Sequence, residues 1–320
     1  MSPLPHKKIL VFEFVCGGGC YSFPAFGKPS GPLLRDGKKM LDAVLEEIGR
    51  LGQFEVVLPL DSRMTFLIRE QTWLKPSRLK SEENLHAFLQ KSASECDHIL
   101  IIAPEIDNAL EYFSDQLKPF SSKYIFPGSP VIRIGSDKWE TFQFLHKNGI
   151  PTPKTVLPED FRSELFPSQI ITKPRLGAGS LSVQQQDSIE QMTELAELHE
   201  RNFLIQEFVD GIPASIAIGK TEKIDIVFPA MKQCLEKHTF EFQTCEGPLE
   251  TSLQSRAEHL LQQVTSSLPE FRGYLGIDLV LGNAKDGTQD FVIEINPRMT
   301  SSYCVTRHLA DHQLFEYLLS

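Results

Sequence analysis

Short apolar runs alternate with longer amphipathic segments along the first third of the chain. The runs are rich in Val, Ile, Leu and Phe, as is typical of strands buried on both faces, and they span residues 8–14, 55–60 and 98–103. Residues 32–51 carry apolar side chains at helical spacing, and residues 81–93 are predicted to form the second helix. This order of strands and helices predicts a parallel sheet over residues 1–130.

The rest of the chain mixes strands and helices. A helix is predicted from Ser136 to about Gly149, because Asp137 and Glu140 have the spacing of a capping box. A second capping box, at residues 188–191, predicts another helix start. The remaining strands are predicted at 169–183 with a turn at 177–180, at 202–210 and 214–218, and within 223–246. Two further helices are predicted, at 251–267 and 308–319.

A hairpin near the C-terminus is predicted to carry polar side chains on one face. Its strands, separated by a polar turn with an Asp-Gly pair, are residues 274–281 and 290–296. Successive side chains of a strand point to opposite faces, so Glu294 and Asn296 share a face. If the hairpin closes about Asp286, then Asp278 lies directly opposite Glu294. In the alternative register, one of the two carboxylates faces solvent.

Two carboxylates that face each other repel, and a divalent cation between them removes that repulsion. The oxygens of Asp278, Glu294 and Asn296 suit Mg²⁺ or Mn²⁺. Pro297 ends the strand, because it cannot donate to the ladder, and Arg298 follows directly. The sequence therefore predicts a metal site with a guanidinium group beside it.

A glycine-rich turn in the middle of the chain is a candidate phosphate-binding loop. Lys173 lies at the end of a predicted strand, and Gly177, Gly179 and Ser180 follow it. Glycines allow backbone N–H groups to approach phosphate oxygens, and a lysine supplies the opposite charge. The spacing is not that of a P-loop, and a plain hairpin loop is the alternative. Lys138 lies in the first turn of its helix, where a solvated surface lysine is the alternative.

Ligands of parallel sheets bind beyond the carboxyl ends of the strands. Polar residues and glycines cluster at that edge, namely Glu13, Gly17–Gly19, Asp61, Arg63 and Glu105. The glycine triplet and Glu105 are expected to contact substrate. Asp61 and Arg63 are interpreted as ordinary polar loop residues.

Composition restricts the class of protein. The chain has 320 residues, a net charge of −10 and a pI near 5.4, which argues against nucleic acid or an anionic membrane as the main partner. No signal-peptide segment or long apolar run is present, so a cytoplasmic protein is expected. Six scattered cysteines include no CxxC pair and are interpreted as buried or loop thiols. The oligomeric state stays open, with a homodimer as one option.

These motifs, taken together, resemble those of the ATP-grasp superfamily. The resemblance covers about residues 130–310 and depends on five motifs in order, namely Asp137-Lys138, Lys173-Pro174 with Gly177–Ser180, Gln206–Gly211, Gly276–Asp278 and Glu294–Arg298. Residues 10–19 and 35–41 look most similar to a subgroup that includes tyramine–glutamate ligase of methanofuran biosynthesis.

The resemblance implies a fold and a division into domains. It implies a Rossmann-like, pre-ATP-grasp α/β domain on the substrate side, followed by a two-lobed α+β ATP-grasp module. The implied bounds are 1–130 for the N-terminal domain, 131–205 for a small ATP-binding lobe and 206–320 for a large lobe with the metal site.

The resemblance also implies roles for the candidate residues. Lys138 and Lys173 would hold the phosphates of ATP beneath the 177–180 loop, and Asp278, Glu294 and Asn296 would hold magnesium. Glu207, Phe208 and Val209 form a linker whose backbone would contact adenine. Arg298 would bind the substrate carboxylate or an acyl phosphate.

The ribose site departs from the family pattern. Many members carry an acid there, whereas Ile212 and Pro213 are apolar, which leaves Asp210 as the candidate substitute.

The implied activity is that of an ADP-forming carboxylate–amine ligase that acts on small molecules through an acyl phosphate. Glutamate is the first candidate for the carboxylate, and one-carbon cofactor biosynthesis is the implied setting. Two alternatives remain open: a phosphotransferase that acts on a small-molecule hydroxyl, and a regulatory protein that binds ATP without turnover.

Overall fold

The computed structural model describes residues 7–64, 68, 70–166, 169–177, 183–186, 199–236 and 240–320. In these ranges the helices are α1 (Gly31–Leu51), α2 (Glu82–Glu95), α3 (Ala109–Gln116), α4 (Ser129–Ser136), α5 (Lys138–Lys147), α6 (Thr251–Ser267), α7 (Tyr303–Thr306) and α8 (Leu314–Leu318). None of the helices in these ranges is long and apolar enough to cross a membrane.

The strands of the same ranges are β1 (Lys7–Glu13), β2 (Phe54–Asp61), β3 (Leu74–Leu79), β4 (His98–Ile102), β5 (Thr155–Val156), β6 (Ile170–Pro174), β7 (Gln184–Gln186), β8 (Phe203–Glu207), β9 (Ile212–Lys220), β10 (Asp225–Leu235), β11 (Phe242–Glu246), β12 (Gly273–Leu281) and β13 (Phe291–Asn296).

The first four strands form a parallel sheet in the order β3-β2-β1-β4. The predicted strands at 8–14, 55–60 and 98–103 are confirmed as β1, β2 and β4, and the predicted helices between them as α1 and α2. The prediction misses β3, whose sequence Leu-Lys-Pro-Ser-Arg-Leu is polar and contains a proline. Because β3 lies at the edge of the sheet, it tolerates both features.

Two antiparallel sheets follow, in the orders β5-β8-β6-β7 and β11-β10-β9-β12-β13. Helix α6 packs against the larger sheet, where Leu260 and Val264 share a core with Leu275 and Ile277. Residues 208–211 connect the smaller sheet to the larger one, where a linker was predicted at residues 207–209. A parallel sheet followed by an antiparallel α+β part confirms the predicted fold class.

The segment from Met299 to Leu319 returns to the N-terminal sheet. Its buried side chains belong to the same core as strand β1, and they are Met299, Tyr303, Leu314, Phe315, Leu318 and Leu319. The predicted helix at 308–319 is wrong, because residues 307–312 form turns and bends and only Leu314–Leu318 is helical. Leu309 is 44% exposed, so this apolar residue of the predicted helix does not pack in the core.

Candidate active site

Strands β12 and β13 pair as the predicted hairpin. Three pairs lie in one register, namely Gly276 with Asn296, Ile277 with Ile295 and Asp278 with Glu294. The predicted register, in which Asp278 lies directly opposite Glu294, is confirmed. Glu294 and Asn296 share the face that borders a cavity, while Ile295 is buried on the other face.

A β-bulge follows the Asp278–Glu294 pair. The next pair is Leu279 with Val292, so Ile293 is the extra residue. As a result Val292 is buried in the core on the far side of the sheet, and Ile293 borders the cavity beside Glu294. The bulge therefore adds an apolar side chain to the wall next to the carboxylates.

Asp278 is held in a polar cluster. Burial, and after it repulsion from Glu294, raises the pKa of Asp278 to about 6. Asn296 Nδ2 donates to Asp278 Oδ2 at 3.1 Å, and Gln233 Nε2 donates to Oδ1 at 2.8 Å. Gln233 lies on β10 and was not predicted, because nothing in its local sequence indicates that β10 lies near the hairpin. No group of three or more His, Cys, Asp or Glu side chains within the described ranges forms a metal-binding cluster.

Two lysines converge on Glu294. The Nζ atoms of Lys138 and Lys173 lie 3.5 and 3.8 Å from Glu294 Oε1. Lys173 is 3% exposed, and burial lowers its pKa to about 8 although the charge of Glu294 acts in the opposite direction. Three segments that are far apart in the sequence thus bring two ammonium groups to one carboxylate.

The start of α5 is tied to the turn after β6. Asp137 Oδ1 accepts a hydrogen bond from Trp139 N at 2.9 Å, which confirms the predicted helix start. Arg175 Nε donates to both oxygens of Asp137 at 2.8 Å. Lys138 Nζ donates to Gly177 O at 2.5 Å. These bonds hold Lys138 over the first part of the glycine-rich turn.

Part of that turn cannot be described. The candidate residues Gly179 and Ser180, and the capping box at 188–191, lie outside the described residues.

The cavity beside the hairpin, called the first pocket, has a volume of about 310 Å³, and Lys173, Asp278 and Glu294 are among its lining residues. One wall is the linker Glu207–Gly211, which includes the candidate residues Glu207, Phe208, Val209 and Asp210. The other walls are mostly apolar, and their side chains include Ile171, Val183, Phe240, Phe242, Leu279 and Ile293. A mostly apolar cleft with a few convergent polar groups is typical of a small-molecule site.

Arg298 connects the hairpin to the N-terminal sheet. Its side chain is 13% exposed, and its Nη2 lies 2.8 Å from Oε2 of Glu105, directly beyond β4. Its Nη1 donates to Met299 O at 3.1 Å. Glu105, which was expected to contact substrate, holds Arg298 in position. It borders neither the first pocket nor a second pocket at the carboxyl ends of β1 and β4.

The second pocket, of about 290 Å³, lies at the carboxyl ends of β1 and β4. Its lining consists of Glu13, Ser30, Pro32, Leu33, Arg35, Asp36, Gly37, Met40, Ile102, Ala103, Pro104, Glu241, Phe242, Arg298 and Ser301. It shares Arg298, Ser301, Asp36 and Phe242 with the first pocket. The two pockets therefore meet at Arg298.

The glycine triplet Gly17–Gly19, which was expected to contact substrate, borders neither of these two pockets. A Cβ atom on Gly17 would lie 2.6 Å from Glu13 O, and one on Gly19 would lie 2.3 Å from the ring of Phe14. These glycines are needed because the turn after β1 is tightly packed.

The other polar and thiol groups near this edge have structural roles. Asp61 and Arg63 were interpreted as ordinary polar loop residues, but Asp61 is the buried last residue of β2 and lies 2.6 Å from Arg63 as an ion pair. All six cysteines are free thiols, and Cys16, Cys20 and Cys96 are buried. Burial raises the pKa of the Cys20 thiol to about 11, which makes it unreactive near neutral pH.

A family profile described as an ATP-grasp domain matches residues 135–302, more than half of the 320-residue chain. This chain belongs to the ATP-grasp family. A second profile, described as a pre ATP-grasp 3 domain, matches residues 54–125. Every candidate residue of the first pocket named from the sequence lies within the ATP-grasp match, whereas Glu13 and residues 30–40 of the second pocket precede both matches.

Individual relatives extend the family assignment. Tyramine–L-glutamate ligase from Methanocaldococcus jannaschii is 24% identical over 296 residues, which is 92% of this chain and 83% of that protein. This match confirms the predicted similarity to that subgroup. The crystal structure of an ATP-grasp superfamily protein from Archaeoglobus fulgidus has a TM-score of 0.72 at 20% identity, over 98% of this chain and 88% of that chain.

A third similar protein was solved with a nucleotide. N5-carboxyaminoimidazole synthetase from Staphylococcus aureus, complexed with ADP, has a TM-score of 0.65 at 15% identity. The similarity covers 100% of this chain and 78% of that chain. At this identity the similarity establishes that the two proteins share a fold, which agrees with the ATP-grasp domain found in this chain.

Proposed function

We propose that this chain is an ATP-dependent ligase that joins a carboxylate to an amine and releases ADP and phosphate. The observation that carries the proposal is that Lys173, Asp278 and Glu294 line a mostly apolar pocket, while the ammonium group of Lys138 lies 3.5 Å from Glu294. Burying so many charges is costly unless a bound ligand interacts with them. A nucleoside triphosphate has the matching combination of an apolar ring and a chain of anionic groups.

The first pocket is the proposed ATP site. Its apolar cleft takes the adenine ring beside the backbone of Glu207, Phe208 and Val209, and Asp210 is placed to bind ribose hydroxyls. Lys138 and Lys173 bind phosphate oxygens, so the phosphates replace Glu294 as their anionic partner. The turn that begins at Gly177 and includes Gly179 and Ser180 covers the phosphates in this proposal.

The hairpin fits a divalent cation. Two carboxylates face each other, and repulsion between them, after burial, contributes to the raised pKa of Asp278. Mg²⁺ is typically held by one or two carboxylates together with water and phosphate oxygens. Asp278, Glu294 and Asn296 would therefore hold Mg²⁺ or Mn²⁺, which supplies positive charge next to the transferred phosphoryl group when it is bound.

The chemistry proceeds in two displacements. A carboxylate oxygen of the substrate attacks the γ-phosphorus of ATP, the bond between that phosphorus and the β–γ bridging oxygen breaks, and ADP leaves. The amine then attacks the carbonyl carbon of the acyl phosphate, the C–N bond forms, and phosphate leaves with the C–O electron pair, while the nitrogen loses a proton to solvent. The lysines and Arg298 bind the anionic groups and hold them in line, which is the main protein contribution to phosphoryl transfer.

The named relative suggests the first substrates to test. Because tyramine–L-glutamate ligase is similar over 92% of this chain, L-glutamate is the first carboxylate and tyramine the first amine. A carboxylate and an amine of other structure are compatible with the same ATP site.

The experiment is an ADP-release assay with pairs of carboxylates and amines, combined with product mass. An amide whose mass equals the sum of the substrates minus water supports the proposal. Lys173→Ala and Glu294→Ala are each expected to lower the rate by about 100-fold or more, because each removes charge stabilisation at the transferred group. Lys147→Ala, on the exposed end of the same helix as Lys138, is the matched control. A phosphorylated alcohol as product, or full activity in Lys173→Ala, would refute the assignment.

A further inference from the structure

Glu13 is a buried carboxylate in the second pocket that the proposed chemistry does not use. It ends β1, is 3% exposed, and accepts a hydrogen bond at Oε2 from Cys16 N at 2.7 Å. Helix α1 packs directly against it, since a Cβ atom on Gly37 would lie 2.3 Å from Glu13 Oε1. The carboxylate is therefore fixed in one position at the floor of the pocket.

The described residues provide no ion-pair partner for this carboxylate. Within the described parts of the chain, Glu13 forms no ion pair with a Lys, Arg or His side chain. Burial raises the pKa of Glu13 to about 7, and only the hydrogen bonds from Cys16 and Val15 act in the opposite direction. An isolated buried carboxylate is costly, and a cationic ligand in the pocket would offset that cost.

Arg298 also lines the second pocket, whose other charged lining residues besides Glu13 are Arg35, Asp36 and Glu241. Arg298 has five N–H groups; two donate hydrogen bonds to Glu105 and Met299, and Nη2 lies 2.8 Å from Glu105 Oε2. The remaining N–H groups suit a carboxylate, and Arg298 also borders the first pocket, where the phosphate-binding groups lie. The rest of the lining is mainly apolar and includes Pro32, Leu33, Met40 and Ile102.

Building on the ligase function proposed above, we infer that the second pocket binds an amino-acid substrate, with its ammonium group on Glu13 and its reacting carboxylate at Arg298. This orientation places the carboxylate at the junction of the two pockets, where ATP-dependent activation requires it. A simple amine fits less well, because it would leave the guanidinium of Arg298 without an anionic ligand. Glu13 is then the residue that selects an amino acid over a plain carboxylic acid.

The test measures binding by calorimetry without ATP, so that it does not depend on turnover. The probes are the twenty proteinogenic L-amino acids, starting with L-glutamate, and the deaminated analogue of the tightest binder, which is glutarate for L-glutamate. We expect the amino acid to bind about 10- to 100-fold more tightly than its analogue, as is typical of one buried charged hydrogen bond. Glu13→Gln should lower the amino-acid affinity to that of the analogue.

The controls separate this inference from the ligase proposal. Glu55→Gln, on the neighbouring strand β2 and paired with Lys8, should bind the amino acid like wild type. Equal affinity for the amino acid and its analogue in the wild-type protein, or binding of none of the twenty, would overturn the inference even if Glu13→Gln failed to fold. Amino-acid binding that depends on Glu13, without any ADP release, would support the pocket and refute the ligase.

Discussion

Arg298 contacts a single oxygen of Glu105 through two of its nitrogens, one of which donates a hydrogen bond, although the two residues are 193 positions apart. Its Nε and Nη2 atoms lie 2.9 and 2.8 Å from Glu105 Oε2. The other oxygen, Oε1, is buried and has no hydrogen-bond partner in the described part of the chain. Because both side chains are largely buried, this pair determines where the guanidinium lies between the two pockets.

Glu105→Gln is therefore expected to impair binding of the carboxylate substrate, because it weakens the contact that positions Arg298. Removing one partner of a buried ion pair leaves the other charge uncompensated, which typically costs about 3 kcal/mol of stability. The KM for the carboxylate substrate should rise by about tenfold, whereas the KM for ATP should change little. Steady-state ADP release and thermal unfolding measure the two effects.

Glu111→Gln is the matched control, since Glu111 pairs with the exposed guanidinium of Arg133 at 2.9 Å. Surface pairs contribute at most about 1 kcal/mol, so stability and KM should stay near wild type. An unchanged carboxylate KM in Glu105→Gln would show that Arg298 does not depend on this partner.

The pH dependence of stability provides a test of Glu13. Its pKa is raised from 4.5 to about 7, so the folded protein holds this proton more tightly than the unfolded chain. Below pH 4.5 Glu13 is protonated in both states, and the stability that comes from its protonated form is fully present. As the pH rises from 4.5 to 7 the free energy of unfolding falls, and above pH 7 this stability is lost. Glu13→Gln removes this dependence. From pH 5 to pH 8, the free energy of unfolding of the variant relative to that of wild type should therefore rise by on the order of 3 kcal/mol.

Urea unfolding of both proteins at the two pH values measures this difference. Other charged groups border the same pocket and are common to both proteins, namely Arg35, Asp36, Glu241 and Arg298. The Cys16 thiol also contacts Glu13, but its pKa is raised far above this range, chiefly by burial. A stability difference that stays constant from pH 5 to pH 8 would contradict the raised pKa.

Gly37→Ala is expected to displace the Glu13 carboxylate while preserving its charge. Alanine favours the helix by about 1 kcal/mol, which partly compensates for the 2.3 Å approach of the new Cβ to Glu13 Oε1. We expect a small change in stability and a loss of about tenfold in amino-acid affinity, measured by calorimetry. Gly49→Ala in the same helix meets the ring of Trp73 at 2.7 Å, so it should lower stability and leave the affinity unchanged. Equal affinity losses in both variants would argue against a specific role of Glu13.

Tyr303→Phe should weaken the attachment of the C-terminal segment to helix α1. The hydroxyl of Tyr303 lies 2.9 Å from both oxygens of buried Glu47, and its removal leaves that carboxylate with Arg307 at 3.4 Å. A loss of about 2 kcal/mol in the free energy of unfolding is expected, because a buried charged group loses its donor. Tyr317→Phe, whose hydroxyl lies 3.4 Å from His312, should cost less than about 0.5 kcal/mol. Equal stability of the two variants in urea unfolding would rule out this attachment.

The polar face of the hairpin was predictable from the sequence because the period of a strand determines which residues share a face. The position of the turn then placed Asp278 opposite Glu294. The bulge at Ile293 was not predictable, since the apolar residues 291–293 suit either register. The fold class followed from the order of apolar segments, but β3 carries too weak a pattern to be identified from the sequence.

Contacts between distant segments explain most of what the sequence could not reveal. The partners of Arg298 and Asp278, which are Glu105 and Gln233, lie on other elements and have no local signal. Glu13 carries a weak signal, as an acid within an apolar strand, but its lack of a cationic partner among the described residues is visible only once helix α1 is packed against it.

The return of residues 299–319 to the N-terminal core has a consequence for biosynthesis. Strand β1 is made early on the ribosome, but the side chains of Tyr303, Phe315 and Leu318 that share its core emerge some 300 residues later. Until then the nascent sheet exposes part of its apolar surface, which is a common cause of aggregation. A ribosome that stalls before residue 299 should therefore release an aggregation-prone fragment that depends on chaperones and lacks the junction at Arg298.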